Sequence, residues 1–212
     1  MKRIHLLKWV CGMIFVILTN QGAFARELSA AAGRDLSKKN ASMFGEINSL
    51  AVNLAGRALF IGSQVGLFRS EDGGRSWRKV ALPIKQASVK VTAVTPGPND
   101  PNAIFVATRD AGLFKTQDGG RVWKPMNSGL RSLESYGLAV DVSRPNKIYA
   151  AIRETRDAIY RSTNGGDKWS RVDTGPDGKI KSLTSVNISS GAGGIFLYAV
   201  TSAGLQRSPD CF

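Results

Sequence analysis

The stretch SEDGGRSW, residues 70–77, decides the fold because it returns twice at one fixed interval. The second and third copies read TQDGGRVW (116–123) and STNGGDKW (162–169), so each copy begins 46 residues after the one before it. The residues leading into each copy repeat as well, and they add a fourth member to the series: GLFRS (66–70), GLFKT (112–116), AIYRS (158–162) and GLQRS (204–208). Equal spacing with this much identity indicates an internal structural repeat.

Each copy of this stretch has the chemistry of a tight hairpin. Its Asp or Asn can accept hydrogen bonds from nearby backbone N–H groups and so fix a turn. The paired glycines supply the positive φ that a chain reversal requires, and the Trp offers a large apolar face at the start of the next strand. We therefore expect a structural role for the following residues: Ser70, Asp72, Gly74, Trp77, Thr116, Asp118, Gly120, Trp123, Ser162, Asn164, Gly166 and Trp169.

Alternating or apolar segments divide each repeat into four predicted strands. The first strands are expected at 47–52, 91–95, 136–142 and 183–188, and the second at 58–61, 103–108, 147–152 and 195–200. The third strand leads into the repeated eight-residue stretch, here called the box. The fourth begins at the Trp of the box, at 77–80, 123–126 and 169–172. Four antiparallel strands in 46 residues match one blade of a β-propeller. The sequence thus predicts an all-β propeller over residues 47–212.

The fourth repeat stops inside its own box. Asp210 takes the place of the box Asp, and the chain ends two residues later at Phe212. The prediction is therefore three complete blades and a truncated fourth, in an open or partial propeller. Four blades can close as a small ring, form an open arc, or belong to a longer parent. An open arc exposes strand edges, which homo-oligomer formation would cover.

The N-terminus reads as a secretory signal peptide over residues 1–25. Lys2, Arg3 and Lys8 are followed by an apolar run of about ten residues and then by Ala23-Phe24-Ala25. The run is too short for a membrane span, which needs about 20 apolar residues, although an uncleaved anchor is the alternative reading. Residues 26–46 form a lead that is either a short helix or disordered. We expect an exported protein, periplasmic or extracellular, with no transmembrane span after cleavage.

Cleavage of the signal would change the chemistry available to the chain. It removes His5, the only histidine, and Cys11, which leaves Cys211 as a single cysteine. A His-ligated metal site and a Ser-His-Asp mechanism are then excluded, so we expect no metal, no cofactor and no catalytic residue. It also removes three of the 29 cations, which leaves 26 against 16 acidic residues, a formal charge of +10. That charge favours an acidic protein segment or an anionic glycan as partner, and export argues against nucleic acid.

The repeated stretch resembles the Asp-box, or BNR repeat, of pattern S/T-x-D-x-G-x-T-W. Families that carry it include sialidases, xyloglucan-degrading glycosidases, sortilin-type receptors and the photosystem II assembly and stability factors. The resemblance covers about residues 47–212 and implies that the box is structural. The sialidase Arg-Ile-Pro signature is absent, and we expect Asp110, Asp141 and Asp157 to be solvated turn residues. A glycoside hydrolase fragment, or a glycan-binding propeller, remains the alternative to a non-enzymatic module.

One basic position recurs in all four repeats. It is occupied by Arg69, Lys115, Arg161 and Arg207. Equivalent positions of a propeller lie at one radius and height, so these side chains are predicted to form a basic arc that holds carboxylates. The photosystem assembly factors, which this chain resembles in its boxes, use a basic surface to hold a partner protein. The favoured hypothesis is therefore an exported binding or assembly module, with solvated strand residues as the alternative reading of the arc.

Overall fold

The computed structural model describes residues 43–53, 57–85, 88–173, 175–188 and 194–208. Within these ranges the chain forms three four-stranded antiparallel sheets and one three-stranded sheet. The predicted all-β propeller, with three complete blades and an incomplete fourth, is thereby confirmed. The signal peptide, residues 26–42 of the lead, and Asp210 lie outside the described residues.

Each sheet is one repeat, and its strands lie side by side in chain order. Blade 1 contains β1 (Ile47–Asn53), β2 (Ala58–Ser63), β3 (Gly66–Ser70) and β4 (Arg78–Val80). Blade 2 contains β5 (Val91–Pro96), β6 (Ile104–Thr108), β7 (Leu113–Thr116) and β8 (Lys124–Pro125). Blade 3 contains β9 (Ser135–Val140), β10 (Ile148–Arg153), β11 (Asp157–Ser162) and β12 (Ser170–Asp173). Blade 4 contains β13 (Ile180–Ile188), β14 (Gly194–Thr201) and β15 (Gly204–Arg207).

The blades pack face to face in the order of the chain. The first strands of successive blades are neighbours, β1 with β5, β5 with β9, and β9 with β13. A hydrophobic core lies between each pair of blades, and every core combines side chains from both. The box Trp belongs to these cores, since Trp123 packs against blade 1 and Trp169 against blade 2. The apolar face of one sheet is thus buried by the next, as in repeat proteins generally.

The box Trp lies just before the fourth strand, whereas the sequence placed it as the first strand residue. β4, β8 and β12 each begin one residue later, at Arg78, Lys124 and Ser170. For Trp169 the reason is visible, because its backbone N–H donates to the carbonyl of Ser128 at 2.9 Å and not to the neighbouring strand. The Trp backbone is therefore part of the contact with the preceding segment.

The prediction that Asp141 and Asp157 are solvated is wrong. Both are buried, at 0% and 7% exposure. Asp141 ends β9 two residues earlier than expected, because its carboxylate accepts backbone N–H groups of the turn that follows and pairs with Arg144 at 2.9 Å. Asp157 pairs with Arg153 at 2.7 Å. Asp110 is exposed, as expected.

Blade 4 presents an apolar face that its equivalent in blade 3 does not expose. Tyr198 pairs with Arg207 as Tyr149 pairs with Arg161, which identifies the matching faces of the two sheets. The face of blade 3 is covered by blade 4. On blade 4 the exposed apolar side chains are Val186, Val200 and Leu205. Within the described ranges, no helix has the length and apolar character needed to cross a bilayer.

The position of each Trp predicts how much it stabilises the fold. Trp169 is 2% exposed between two blades, so Trp169→Ala should lower the free energy of unfolding by about 3–5 kcal/mol. Trp77 is the matched control, since it is half-buried and packs on Phe44 at 5.6 Å rather than on a preceding blade. Trp77→Ala should cost clearly less. Urea denaturation followed by far-UV circular dichroism measures both, and equal losses would contradict the prediction.

Candidate binding surface at the Asp-box end of the blades

Each Asp-box closes its turn with one hydroxyl and one carboxylate or amide. In the first box the Ser70 hydroxyl oxygen accepts the backbone N–H of Gly74 at 2.8 Å, and Asp72 accepts that of Ser76 at 2.9 Å. Gly73 and Gly74 have φ of +72° and +89°, a region in which other residues are strained. The same bonds recur in the other boxes through Thr116, Asp118, Ser162 and Asn164.

These bonds favour the charged form of the two box aspartates. The Ser76 hydroxyl, followed by the Ser76 backbone N–H, holds the pKa of Asp72 well below its ordinary value. The Thr116 hydroxyl, followed by a backbone N–H of the turn, lowers the pKa of Asp118 in the same way. Asn164 occupies the equivalent place in the third box without a charge. Box geometry therefore does not require a carboxylate.

The first two residues of the predicted basic arc reach into the next blade. Arg69 donates through Nη1 to the carbonyl of Gly119 at 2.6 Å, and Lys115 donates through Nζ to that of Gly165 at 2.8 Å. Both acceptors are the first glycine of the following box. The two side chains are only 17% and 16% exposed, so they lie in the seams between blades. The sequence carried no sign of this contact, because a backbone carbonyl has no residue type to recognise.

Arg161 and Arg207 have different surroundings. Arg161 is half-buried. Burial raises the pKa of Tyr149, its neighbour on the adjacent strand, to about 12, and the charge of Arg161 opposes this rise. Arg207 is exposed, with its guanidinium 4.6 Å from the centre of the Phe196 ring. The residue that would carry the next acceptor carbonyl for Arg161 is Cys211, outside the described residues. The structure thus places the four arc residues at equivalent positions but exposes them unequally.

Two clefts open between blades at the box end. The first cleft, about 360 Å³, is bordered by three cations, Arg69, Arg78 and Arg121, and by two carboxylates, Glu71 and Asp118, together with Asn102 and Gln117. The second cleft, about 510 Å³, is bordered by two cations, Lys115 and Lys124, and by two carboxylates, Asp100 and Asp167, together with Gln117, Asn146 and Asn164. Gln117 belongs to both, so the clefts adjoin. Each has a seam cation, Arg69 or Lys115, at its base.

The boxes carry further cations at this end of the blades, and one of them, Arg121, borders the first cleft. Arg75, Arg121 and Lys168 are exposed, and none of them has a carboxylate partner among the described residues. On blade 3, burial first and then the charges of Arg144 and Arg161 lower the pKa of Lys147. The three exposed box cations therefore add positive charge at this end of the blades.

The opposite end of blade 3 carries a separate polar network. Arg153 pairs with Asp157 through two nitrogens, at 2.7 and 3.1 Å, and stacks on the Tyr136 ring at 3.8 Å. The Tyr136 hydroxyl donates to Glu134 at 2.6 Å, and burial together with this bond raises the Tyr136 pKa. Arg153 also donates to the carbonyl of Ile180 in blade 4. These groups are engaged with one another, and the network joins two blades.

Comparison with known proteins places the chain among propellers. A family profile described as "Sortilin, neurotensin receptor 3" (Sortilin-Vps10) matches residues 65–185. No curated protein sequence matches the chain. The chain is similar to a solved GH74 xyloglucanase from Xanthomonas campestris, with 19% identity and a TM-score of 0.51 over 77% of this chain and 31% of that one.

Two further solved structures have the same fold. One is YCF48 bound to D1 peptide, at 18% identity and a TM-score of 0.50, covering 74% of this chain and 48% of that one. The other is from the nidogen/laminin complex, at 12% identity and a TM-score of 0.57, covering 76% and 60%. At these identities the likeness is one of fold alone. The chain spans less than two thirds of the length of each of these structures.

The box aspartates predict an acid-sensitive stability. A carboxyl group whose pKa is lowered on folding stabilises the fold above its unfolded pKa, and that contribution is lost as the pH falls through the folded value. The loss should thus begin near the ordinary value of 3.8 and continue below it. Asp72→Asn combined with Asp118→Asn copies Asn164 and should flatten this dependence while leaving the neutral fold intact.

Urea denaturation between about pH 5 and pH 2 measures this effect. We expect the free energy of unfolding to fall less steeply in the double variant than in the unaltered chain. The control is Asp177→Asn, which changes an exposed carboxylate outside the boxes. Parallel curves for the double variant and the unaltered chain would show that the box carboxylates do not couple folding to pH.

Proposed function

The chain belongs to the Sortilin-Vps10 family, and we propose from its charge distribution that it is a non-enzymatic binding or assembly module. It binds an acidic protein segment at the Asp-box end of the blades. The observation that carries this proposal is the set of exposed box cations without a carboxylate partner among the described residues, Arg75, Arg121 and Lys168, at the end of the blades where two clefts each contain a further cation. Exposed cations of this kind attract carboxylates over a distance of several ångströms.

The predicted signal peptide of residues 1–25 supports an exported location for this module. The proposed partner is therefore a protein met outside the cytoplasm. An anionic glycan would contact the same cations and is the alternative occupant. The experiment below distinguishes the two by using an acidic peptide as the probe and a sulfated polysaccharide as the competitor.

A glycoside hydrolase, the alternative function, needs a carboxylic acid that is free to move a proton. The carboxylates at the opposite end of blade 3 are already engaged, Asp157 by Arg153 and Glu134 by Tyr136. This favours the binding module. Release of reducing sugar from xyloglucan by the purified chain, lost on Glu134→Gln, would overturn the proposal.

The binding proposal predicts that the affinity for an acidic peptide depends strongly on salt and on the cations at the Asp-box end of the blades. A fluorescein-labelled peptide of alternating glutamate and serine should bind at low ionic strength and weaken as salt rises, because exposed charges are screened beyond about 8 Å at physiological ionic strength. Reversing charge with Arg75→Glu, Arg121→Glu and Lys168→Glu should weaken it by about tenfold or more.

The matched control reverses three exposed cations at the opposite end: Arg156, Lys179 and Lys181. Net charge changes by the same amount in both triple variants, so a purely long-range electrostatic effect would weaken peptide binding equally in both. Fluorescence anisotropy measures the affinities, with a sulfated polysaccharide as competitor. Equal losses of affinity in the two variants, or an affinity that does not change with salt concentration, would contradict the proposal.

A further inference from the structure

The two clefts already hold carboxylates of the protein itself. In the first cleft, Arg69 Nη2 lies 2.7 Å from the carboxylate of Glu71, which is also 3.8 Å from Arg78. In the second cleft, Lys115 Nζ lies 2.6 Å from the carboxylate of Asp167. Each seam cation therefore binds one backbone carbonyl of the next box and one carboxylate.

The two carboxylates come from different places in the repeat. Glu71 is the second residue of its box, on the same blade as its cation, and the equivalent residue of the next box is Gln117. Asp167 is the sixth residue of its box, on the blade after its cation, and its equivalents are Arg75 and Arg121. Two unrelated positions thus supply the same partner to the same cation. This indicates that the cleft, and not the repeat pattern, selects a carboxylate.

Both internal carboxylates are poorly anchored. The side chains of Glu71 and Asp167 are 60% and 67% exposed, whereas the cations that hold them are mostly buried. Ion pairs with one exposed partner contribute little to stability, because water screens the attraction and ordering the side chain costs entropy. Arg69 stays fixed by Gly119 when Glu71 moves away, so its free Nη2 would remain directed into the cleft.

We propose that the clefts are two adjoining carboxylate subsites for an acidic peptide segment, and that Glu71 and Asp167 are internal competitors which the segment displaces. This rests on the proposed function and adds to it the site, the ligand group and a built-in restraint on affinity. Because Gln117 borders both clefts, an extended segment that crosses it can place one acidic side chain in each. In the first cleft the incoming carboxylate meets Arg69 and Arg78, a geometry suited to guanidinium–carboxylate pairing.

Removal of a competitor should strengthen binding. Glu71→Gln introduces the residue that the second box has naturally, so the fold should be unchanged. We expect it to raise the affinity for the glutamate–serine peptide by about two- to fivefold, the range that an exposed ion pair supports. Asp167→Asn should act in the same direction through the second cleft.

Glu46→Gln is the matched control. Glu46 is equally exposed, at 64%, and pairs with Lys90 at 3.4 Å, but it precedes β1 at the opposite end of the blades. Glu71→Gln and Glu46→Gln raise net charge by the same amount, so a general charge effect would strengthen peptide binding equally in both variants. A larger gain for Glu71→Gln supports displacement. Arg69→Gln should then weaken binding and abolish the gain when it is combined with Glu71→Gln.

Fluorescence anisotropy at low salt tests the competitor role of Glu71 separately from the proposed binding function. Equal gains for Glu71→Gln and Glu46→Gln, or a loss for Glu71→Gln, would overturn the competitor role while salt-sensitive binding at the box end stands. Absence of peptide binding in every variant would overturn the proposed function itself. Thermal unfolding of each variant confirms that affinities are compared between folded proteins.

Discussion

The second and third Asp-boxes are each joined to the preceding blade by an indole and by a cation. Trp169 packs on blade 2 and donates its Nε1 hydrogen to the carbonyl of Met126 at 2.7 Å. In the same seam, Lys115 of blade 2 donates to Gly165. A single sheet cannot bury both of its faces, so a propeller depends on contacts of this kind between consecutive repeats. The box turn is rigid because its hydroxyl and Asp or Asn satisfy the backbone, and this rigidity presents the glycine carbonyl to the cation.

This joint gives the seam cation both a structural and a chemical role. A lysine or arginine has more donors than one carbonyl can use, and burial of its stem leaves the charged end at the cleft. Arg69 and Lys115 bind their carbonyls and still attract Glu71 and Asp167. Two of the four residues of the predicted basic arc, Arg69 and Lys115, thus make blade-to-blade contacts, and each borders a cleft.

The blades were predictable from sequence, and the clefts were not. Box residues such as Asp72 and Trp77 repeat at a fixed interval and form the same local turn in each repeat. Their identity and spacing therefore predict local structure. The partners of Arg69 and Lys115 are backbone carbonyls about 50 residues away, which leave no signal in the sequence. Asp141 and Asp157 were misread for a related reason, because their burial depends on tertiary contacts that a turn-rich context does not reveal.

The two clefts also differ in a way that would give the proposed acidic segment a direction. The first presents Arg69 and Arg78, whose planar guanidinium groups can bind both oxygens of a carboxylate. The second presents Lys115 and Lys124, which act as point charges and impose no such geometry. The two positions that flank the box, Arg69 and Arg78 in one blade and Lys115 and Lys124 in the next, would therefore make the first proposed subsite selective and the second permissive. Repetition builds the scaffold, and the change from arginine to lysine at equivalent positions would be enough to distinguish the two ends of the proposed segment.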